Sequence, residues 1–161
     1  MSLTITAQPL TAAAFAPFGE VLEAKGQPDW TINAGKCGRF HDRARLDFAE
    51  GTAGISVFQS ESFSLPLDLQ LVERHPLGSQ AFVCMTADPF LVVVAADSAE
   101  GPQQPLAFLT DGTQGVNIHR NVWHGVLTPL GGPGLFAVID RIGTTPNLEE
   151  FHFPTPIRVS R

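Results

Sequence analysis

Residues 90–96 read Phe-Leu-Val-Val-Val-Ala-Ala, an uninterrupted apolar run. The run does not alternate with polar residues, as is typical of a strand that is buried on both faces. Residues 67–71, Leu-Asp-Leu-Gln-Leu, alternate strictly and predict a strand with one face toward water. A chain that contains both kinds of strand needs two packed layers of sheet or a closed barrel.

Similar short segments recur along the chain, bounded by Gly, Pro, Asp and Asn. The predicted strands are residues 21–22, 54–59, 67–74, 80–85, 90–96, 106–109, 116–119 and 135–141. Residues 96–105 are predicted to be a loop. Near the start, Thr11 can cap a short helix over residues 12–15, which Pro17 and Gly19 end. We therefore expect an all-β, mainly antiparallel fold, a small β-barrel or two-sheet jelly roll with a short N-terminal helix.

The composition predicts one folded domain over residues 1–161. A chain of 161 residues can bury roughly 70% of its unfolded surface. With 10 basic and 16 acidic residues and no basic run, it is not expected to bind nucleic acid. No apolar run approaches the roughly 20 residues that span a bilayer, and no leader peptide is apparent, so we expect a cytoplasmic protein without a membrane partner. Cys84 is expected to be a buried free thiol, and the state of Cys37 is left open.

The first polar cluster lies in residues 115–125, Gly-Val-Asn-Ile-His-Arg-Asn-Val-Trp-His-Gly. On a strand Asn117 and His119 project from one face, because successive side chains alternate. His119 can serve as a general base, a metal ligand or an anion contact. His124 follows five positions later and needs a bend in the chain to reach the same face. The simpler interpretation is a solvated polar strand end.

The second cluster lies in residues 73–80, Glu-Arg-His-Pro-Leu-Gly-Ser-Gln. Glu73 and His75 share a strand face, Pro76 and Gly78 favour a turn, and Gln80 returns on the next strand. Together with His119 these groups can form a site in a barrel mouth. An ordinary exposed hairpin is the alternative.

Two further sets of basic residues are candidates for binding an anion. Arg39 and His41 are spaced by two in the basic segment 33–45, and Arg can bind a carboxylate through two parallel hydrogen bonds. The alternative is a basic surface loop, which is the preferred interpretation for its other arginines. Asp140 and Arg141 are adjacent on a predicted strand, so at most one of them points into a barrel.

Several catalytic motifs are absent from the sequence. It contains no Gly-rich phosphate loop, no Gly-x-Ser-x-Gly, no Cys-x-x-Cys and no His-Glu-x-x-His. This absence disfavours nucleotide chemistry, serine hydrolysis and zinc-finger or zincin sites. Acid–base or metal chemistry on a small molecule remains.

Three segments in the same order, with matching ends, carry a specific resemblance. Residues 32–42, 73–82 and 114–124 resemble the ureidoglycolate lyase family, also called ureidoglycolate hydrolases. The resemblance implies a cupin-type β-barrel that forms a homodimer. It also implies cleavage of (S)-ureidoglycolate to glyoxylate and urea, a nitrogen-releasing step of allantoin and purine degradation. The small-molecule partner would then be ureidoglycolate or glyoxylate.

The resemblance fixes positions, and the chemistry suggests roles for them. A base must remove the hydroxyl proton, an acid must protonate the leaving nitrogen, and a cation or donor must hold the carboxylate. We expect His119 to be the base, Glu73 or His75 to orient or deliver the proton, and Arg39 to hold the carboxylate. The other expected substrate contacts are His41, Asn117, Gln80, His124 and Arg141.

A metal ion is the least determined part of the expected site. His75, Gln80 and His119 are the candidate ligands, and the resemblance implies nickel. The His-x-His pair of many metal-binding cupins is missing, and a metal-free site is physically adequate for this elimination. Mixed nitrogen and oxygen ligands do not by themselves choose among nickel, manganese, zinc and no metal.

This chain departs from the family pattern at two positions. Gly125 stands where members commonly carry a second consecutive His, and Ile118 stands where they carry an aromatic residue. If the additional His were catalytic, this chain would be impaired. The alternatives to the lyase are another metal-dependent cupin enzyme and a non-catalytic barrel that binds a small carboxylate, and a hydrolase would differ from the lyase in its products.

Overall fold

Regular structure in residues 3–161, the part that the computed structural model describes, is almost entirely β-strand. The helix α1 (Ala12–Phe15) is capped by Thr11, whose hydroxyl accepts the amide N–H of Ala14 at 3.2 Å. The prediction of a short capped helix is confirmed. Among the described residues no helix is long and apolar enough to cross a bilayer. The strands are β1 (Thr4–Thr6), β2 (Gln8–Pro9), β3 (Gly19–Leu22), β4 (Trp30–Ile32), β5 (Cys37–Arg39), β6 (Thr52–Gln59), β7 (Leu67–Arg74), β8 (Gln80–Cys84), β9 (Phe90–Ala95), β10 (Asp97–Ser98), β11 (Gly101–Pro102), β12 (Leu106–Leu109), β13 (Gly115–Ile118), β14 (Trp123–His124), β15 (Thr128–Pro129), β16 (Leu135–Ile142) and β17 (Glu149–Ser160).

Two larger sheets form the body of the fold. Sheet 1 has the order β1-β17-β7-β14-β9-β12-β2, with β15 also paired to β9. Because β1 and β2 are nearly consecutive in the chain and lie at opposite ends of this order, sheet 1 curls until it is nearly closed. Sheet 2 has the order β3-β13-β8-β16-β6. Most neighbours are antiparallel, and the parallel pairs are β1 with β17 and β2 with β12. The predicted all-β, cupin-type barrel is confirmed.

Strand β9 separates two apolar cores. Its residues Val92 and Val94 belong to core 1, which lies between the sheets and includes Phe82, Val116 and Phe136. The intervening residues of β9 belong to core 2, whose members all come from sheet 1 and the segment that joins β1 to β2. The six residues of β9 are all buried, which confirms the prediction from the uninterrupted apolar run.

The predicted strands agree closely with the observed ones. The eight predicted segments correspond to β3, β6, β7, β8, β9, β12, β13 and β16. The predicted loop at residues 96–105 contains the short hairpin of β10 and β11. The short strands β1, β2, β4, β5, β14 and β15 were not predicted, and neither was β17, the longest strand of the described chain. Cys84 is a free thiol as expected, although it is half-buried rather than buried.

Alternation gives sheet 2 an inner and an outer face. Phe136 and Val138 of β16 belong to core 1, so Ala137 and Ile139 project from the outer face. Across the strands, Val57 pairs with Ala137 and Ile55 pairs with Ile139, so all four lie on this outer face. The outer face of sheet 2 is therefore apolar around its β6 edge.

Candidate active site

The side chains of Glu73, His75 and His124 meet beside core 1. Glu73 on β7 and His124 on β14 are paired across neighbouring antiparallel strands, so their side chains project from the same face. His124 is also paired with Val94 of core 1, and His75 follows Glu73 by two residues. Each of the three residues offers one ligand atom, and these atoms lie within 4.8 Å of one another. We call this cluster the inner site.

Hydrogen bonds fix the orientation of both imidazoles. His75 Nδ1 lies 2.7 Å from the carbonyl oxygen of Asn147, and His124 Nδ1 lies 2.9 Å from that of Gly125. A carbonyl oxygen can only accept, so each Nδ1 carries the proton and each Nε2 presents a lone pair. Within residues 3–161 both Nε2 atoms are buried without a hydrogen-bond partner. His75 Nε2 lies 3.9 Å from Glu73 Oε1, which is too long for a hydrogen bond.

The inner site shifts the pKa values of its own groups. Burial raises the pKa of Glu73, an effect that His75 opposes and Glu150 increases. Burial lowers the pKa of His124 to about 4, with a smaller opposing effect of the Gly125 carbonyl and a further lowering by His75. His124 is therefore a neutral imidazole near pH 7. A cation at the inner site would oppose the effect of burial on Glu73 and, like burial, would favour the neutral imidazole of His124. Two imidazole nitrogens with one carboxylate are a fitting donor set for a divalent transition-metal ion.

Gln80 lies on the facing sheet with a free acceptor. Its Nε2 donates to Asp140 Oδ2 at 3.2 Å, which directs the amide and leaves the buried Oε1 without a partner among the described residues. Gln80 and Phe82 alternate onto the same face, and Asp140 likewise shares a face with Val138. Both polar side chains therefore project from sheet 2 toward the core that the inner site borders.

His119 lines a cavity on the outer face of sheet 2. Asn117 Nδ2 donates to Glu20 Oε2 at 2.8 Å, and His119 Nε2 lies 2.9 Å from Glu20 Oε1. The expectation that Asn117 and His119 share a face agrees with this common partner. The neighbours Val116 and Ile118 belong to core 1, so Asn117 projects from the outer face of sheet 2. The cavity has a volume of about 680 Å³, and we call it the outer cavity. Its lining is Glu20, Arg45, Leu46, Asp47, Pro76, His119, Arg120 and Asn121.

Arg39 and His41 lie on a projecting hairpin formed by β4 and β5. The Arg39 guanidinium lies 5.5 Å from the centroid of the Trp30 ring, and the His41 ring lies 4.6 Å from it. Arg39 and His41 therefore lie on the same side of the chain, and both contact the exposed Trp30 ring. The contacts of both residues within the described chain are with this hairpin and its flanks rather than with the inner site.

Arg141 is held by protein groups. Its guanidinium donates to the Glu50 carbonyl oxygen at 3.0 Å, to Glu50 Oε1 at 2.7 Å and to the Thr145 carbonyl oxygen at 3.1 Å. The Arg141 side chain is 3% exposed. Because Asp140 projects inward, Arg141 projects from the outer face, which agrees with the prediction that at most one of the two points into the barrel. Arg141 thus anchors two loops.

Not all of the expected site residues lie together in the structure. Glu73, His75 and His124 come together, with Gln80 on the facing sheet. Among the described residues His124 stands beside His75, while His119 is bonded to Glu20, so the metal set of His75, Gln80 and His119 stays a prediction of the sequence. The physical reason for this grouping is the turn between β13 and β14, which carries the chain from sheet 2 to sheet 1. This change of sheet is the bend that the spacing of His119 and His124 requires.

Three residues around these cavities were not predicted. For Asp140, its position two residues after the core residue Val138 was the available signal. Glu20 and Asn147 carry no local sequence signal, since each meets its partner only through sheet pairing or a loop far along the chain.

Gly125, where family members commonly carry a second histidine, faces core 2 and not the inner site. A Cβ at this position would lie 3.2 Å from Val93 Cβ and 3.5 Å from Leu69 Cδ1. Both are members of core 2. A second histidine at this place would therefore point into core 2, and its absence leaves the inner site complete in this chain.

Replacing Gly125 by histidine is therefore expected to destabilise the protein without raising its activity. Overpacking of this kind costs about 1–3 kcal/mol, because the imidazole would have to displace Val93 or Leu69. Thermal unfolding followed by circular dichroism, together with a turnover assay, checks this expectation. A rise in turnover at unchanged stability would contradict it.

The two-layered barrel and the inner site together define a class of protein. A barrel of antiparallel strands whose core borders two imidazoles and a carboxylate is a cupin-type barrel. A family model described as ureidoglycolate lyase matches residues 2–160, and this chain belongs to that family.

Several proteins named ureidoglycolate lyase are similar to this chain. The chain is 59% identical over 153 residues to the ureidoglycolate lyase of Rhodobacter capsulatus, which covers 94% of this chain and 95% of that protein. It is 52% identical over 151 residues to the ureidoglycolate lyase of Mesorhizobium japonicum, covering 92% and 93% of the two chains. It is also 51% identical over 154 residues to ureidoglycolate lyase 2 of Rhizobium meliloti, covering 94% of each.

Proposed function

We propose that the protein is a ureidoglycolate lyase, which cleaves (S)-ureidoglycolate to glyoxylate and urea. The observation that carries the proposal is the 59% identity to a protein of that name over nearly the full length of both chains. The inner site supports it, because the cluster supplies oriented imidazoles and a carboxylate with a raised pKa, and the facing sheet carries a buried amide acceptor.

The reaction needs one proton to move within the substrate. The hydroxyl proton leaves as the carbon–oxygen double bond of glyoxylate forms, the C–N bond breaks, and the nitrogen of the departing urea takes up a proton. A single group that accepts the first proton and donates the second leaves the protein unchanged after each turnover.

We assign the proton transfer to Glu73. Burial raises its pKa toward the working pH, which makes it both a better base than an exposed carboxylate and a usable acid once protonated. Gln80 Oε1, held by the bond from its amide to Asp140, is the proposed acceptor for a ureido N–H. Its rigid anchoring reduces the loss of freedom on binding.

We further propose that the inner site holds a divalent ion. His75 and His124 would bind it through Nε2 and Glu73 through one carboxylate oxygen. The ion would favour the ionised form of Glu73, so with the ion bound this carboxylate would begin the reaction as the base. Such an ion would supply Lewis acidity to the reaction. The family resemblance favours nickel, and metal analysis of the purified protein would test that identity. The proposed role of Arg39 as a carboxylate contact stays a prediction of the sequence.

His119 is the competing candidate for the base. Glu20 orients its ring in the outer cavity, and a carboxylate partner is a common arrangement for a catalytic histidine. We favour the inner site because its two Nε2 lone pairs are buried and unpartnered among the described residues, whereas His119 Nε2 already has a partner.

A product assay tests the proposed function. Purified protein is incubated with ureidoglycolate, and glyoxylate, urea and ammonia are quantified with and without prior chelation. Equal amounts of urea and glyoxylate are expected. Ammonia in place of urea would make the protein a hydrolase, and binding without turnover in either arm, even after divalent ions are added, would indicate a carboxylate-binding barrel. Loss of turnover on chelation and its return with nickel would support the metal proposal.

We also propose that two copies of the chain associate through the outer face of sheet 2. Ile55 is 77% exposed, Val57 is 63% exposed and Met85 is 54% exposed, whereas the solvent-facing side of an antiparallel sheet is ordinarily polar. The chain carries a net charge of −6, so two copies repel each other except where a contact is free of charge. The rows around Val57 and Ile55 near the β6 edge supply such a surface, and a second copy matches it by symmetry.

Replacing Val57 by aspartate is therefore expected to convert the dimer to monomers. The two introduced carboxylates, one from each copy, would be buried close to each other in the interface. Burying these unpaired charges costs more free energy than the apolar contact contributes. Sedimentation velocity at micromolar concentration checks this. The matched control is Leu106→Asp, at an exposed apolar position on sheet 1, which should stay dimeric. A monomeric unmodified protein, or a dimeric Val57→Asp variant, would contradict the proposal.

The remaining parts of the proposed role come from the family resemblance. It implies that cleavage of ureidoglycolate is a nitrogen-releasing step of allantoin and purine degradation. A cytoplasmic location stays a prediction of the sequence.

A further inference from the structure

The loop between β16 and β17 holds the segment that carries His75 at two points. The carbonyl oxygen of Asn147 accepts a hydrogen bond from His75 Nδ1 at 2.7 Å. The side-chain Oδ1 of the same residue accepts one from the backbone N–H of Leu77 at 2.6 Å. One residue therefore bonds on both sides of Pro76, in a turn that the proline and a glycine already constrain.

We infer that Asn147 is a positioning residue, which fixes the tautomer of His75 and thereby presents its Nε2 lone pair to the inner site. The carbonyl oxygen dictates a proton on Nδ1, and the side-chain bond to Leu77 keeps that carbonyl in register with the ring. A third bond, from the Asn121 N–H to the His75 carbonyl oxygen at 2.9 Å, holds the backbone of His75 itself. The catalytic importance of Asn147 rests on the proposed function. Its effect on the tautomer of His75 does not depend on that function.

Arg141 supports the same loop from the other side. Its guanidinium donates to the Thr145 carbonyl oxygen at 3.1 Å, two residues before Asn147. The loop residues 143–146 are exposed, so few packing contacts hold them. The buried Arg141 side chain and the Asn147 bonds thus anchor the two ends of a short exposed loop. This arrangement gives Arg141 a structural role in holding the loop that carries Asn147.

When a histidine binds a metal ion, the group that hydrogen-bonds one ring nitrogen determines that the other nitrogen is free to bind the metal. Where such partners are removed, metal affinity or activity typically falls 10- to 100-fold. His124 is held in the same manner by the carbonyl oxygen of Gly125, its own neighbour in sequence, so it needs no distant partner. His75 depends instead on a residue from another loop, which makes Asn147 the sensitive point of the inner site.

The test compares Asn147→Ala with Asn147→Asp, which keeps an acceptor for the Leu77 N–H. Thr144→Ala, at an exposed position of the same loop, is the matched control. The first readout is the ¹⁵N chemical shift pair of the His75 ring at pH 8, in full-length protein without added metal. In the unmodified protein and in Thr144→Ala we expect one protonated Nδ1 and one unprotonated Nε2. In Asn147→Ala we expect averaging of the two shifts, and in Asn147→Asp we expect their recovery.

The second readout is the affinity for Ni²⁺ alone, measured by calorimetry. It is expected to fall about 10- to 100-fold in Asn147→Ala and less than threefold in Asn147→Asp and in the control. An unchanged tautomer and an unchanged Ni²⁺ affinity in Asn147→Ala would overturn the inference. If Asn147→Ala does not fold, a mixed tautomer in the folded Asn147→Asp variant would overturn it equally. Because the ring shifts require neither metal nor turnover, failure of the proposed function would leave this result interpretable.

Discussion

Replacing His124 by alanine is expected to lower turnover of ureidoglycolate by about 10²- to 10⁴-fold, the range typical for loss of a group that acts directly in the reaction. His124 is fully buried, and its neutral Nε2 is one of the two unpartnered lone pairs of the inner site. Alanine removes that lone pair and leaves Glu73 and His75 without their third member. Steady-state kinetics, with circular dichroism to show that the fold is retained, checks the expectation.

The matched comparison is His119→Ala. If the reaction takes place at the inner site, this variant should lose less than about tenfold in turnover, because His119 belongs to the outer cavity with Glu20. If the order is reversed, with His119→Ala almost inactive and His124→Ala active, the outer cavity is the reaction site. The inner site would then have a structural role, and the assignment made from the sequence would be correct. His124→Gln, which fills much of the same volume, separates loss of the imidazole from loss of packing.

Replacing Gly19 by alanine is expected to cost at least about 3 kcal/mol of unfolding free energy, the upper end for overpacking. A Cβ at Gly19 would overlap the carbonyl oxygen of Asn117 and lie 3.0 Å from Phe15 Cε1. Since the overlap involves backbone, no side-chain rotation can relieve it. For a chain of this length the loss corresponds to a fall in Tm of about 6–12 °C.

The control for this prediction is Gly131→Ala. There an added Cβ would meet only Asp88 Oδ1, at 3.6 Å, which is ordinary van der Waals contact. Thermal melts of the two variants, recorded side by side, should therefore differ markedly. Equal Tm values would mean that β3 can move away from β13, and the close approach of the two strands would then not constrain the fold.

Local patterns were enough to predict the strands that form the centre of the fold. The uninterrupted run at 90–96 and the alternation at 67–71 each follow directly from which faces are buried. Strand β17 escaped prediction because Pro154 and Pro156 interrupt its pattern. Its pairing with β7 shifts register between His152 and Ile157, so both prolines fall where the regular ladder is broken.

The residues of the candidate site were largely identified from the sequence, and their grouping was not. Glu73 and His75 follow from a spacing of two on one strand. The pairing of His75 with His124 instead of His119 depends on which sheet each short strand joins, and no local spacing encodes that choice. Glu150 illustrates the same point, since it had no expected role and lies directly opposite Glu73 in the sheet, where it helps raise the pKa of that carboxyl.

The neighbouring positions of β1 and β17 have a consequence for how the chain reaches its fold. Thr4 is paired with Arg158, so sheet 1 cannot close until residues from both extremes of the described chain have met. Contacts between residues so distant in sequence make folding slow, because a large loop must be ordered before the pairing stabilises it. During synthesis, core 2 stays open to water until β17 has left the ribosome. We therefore expect the nascent chain to pass through an aggregation-prone intermediate, so that the yield of active protein depends on the rate of chain closure.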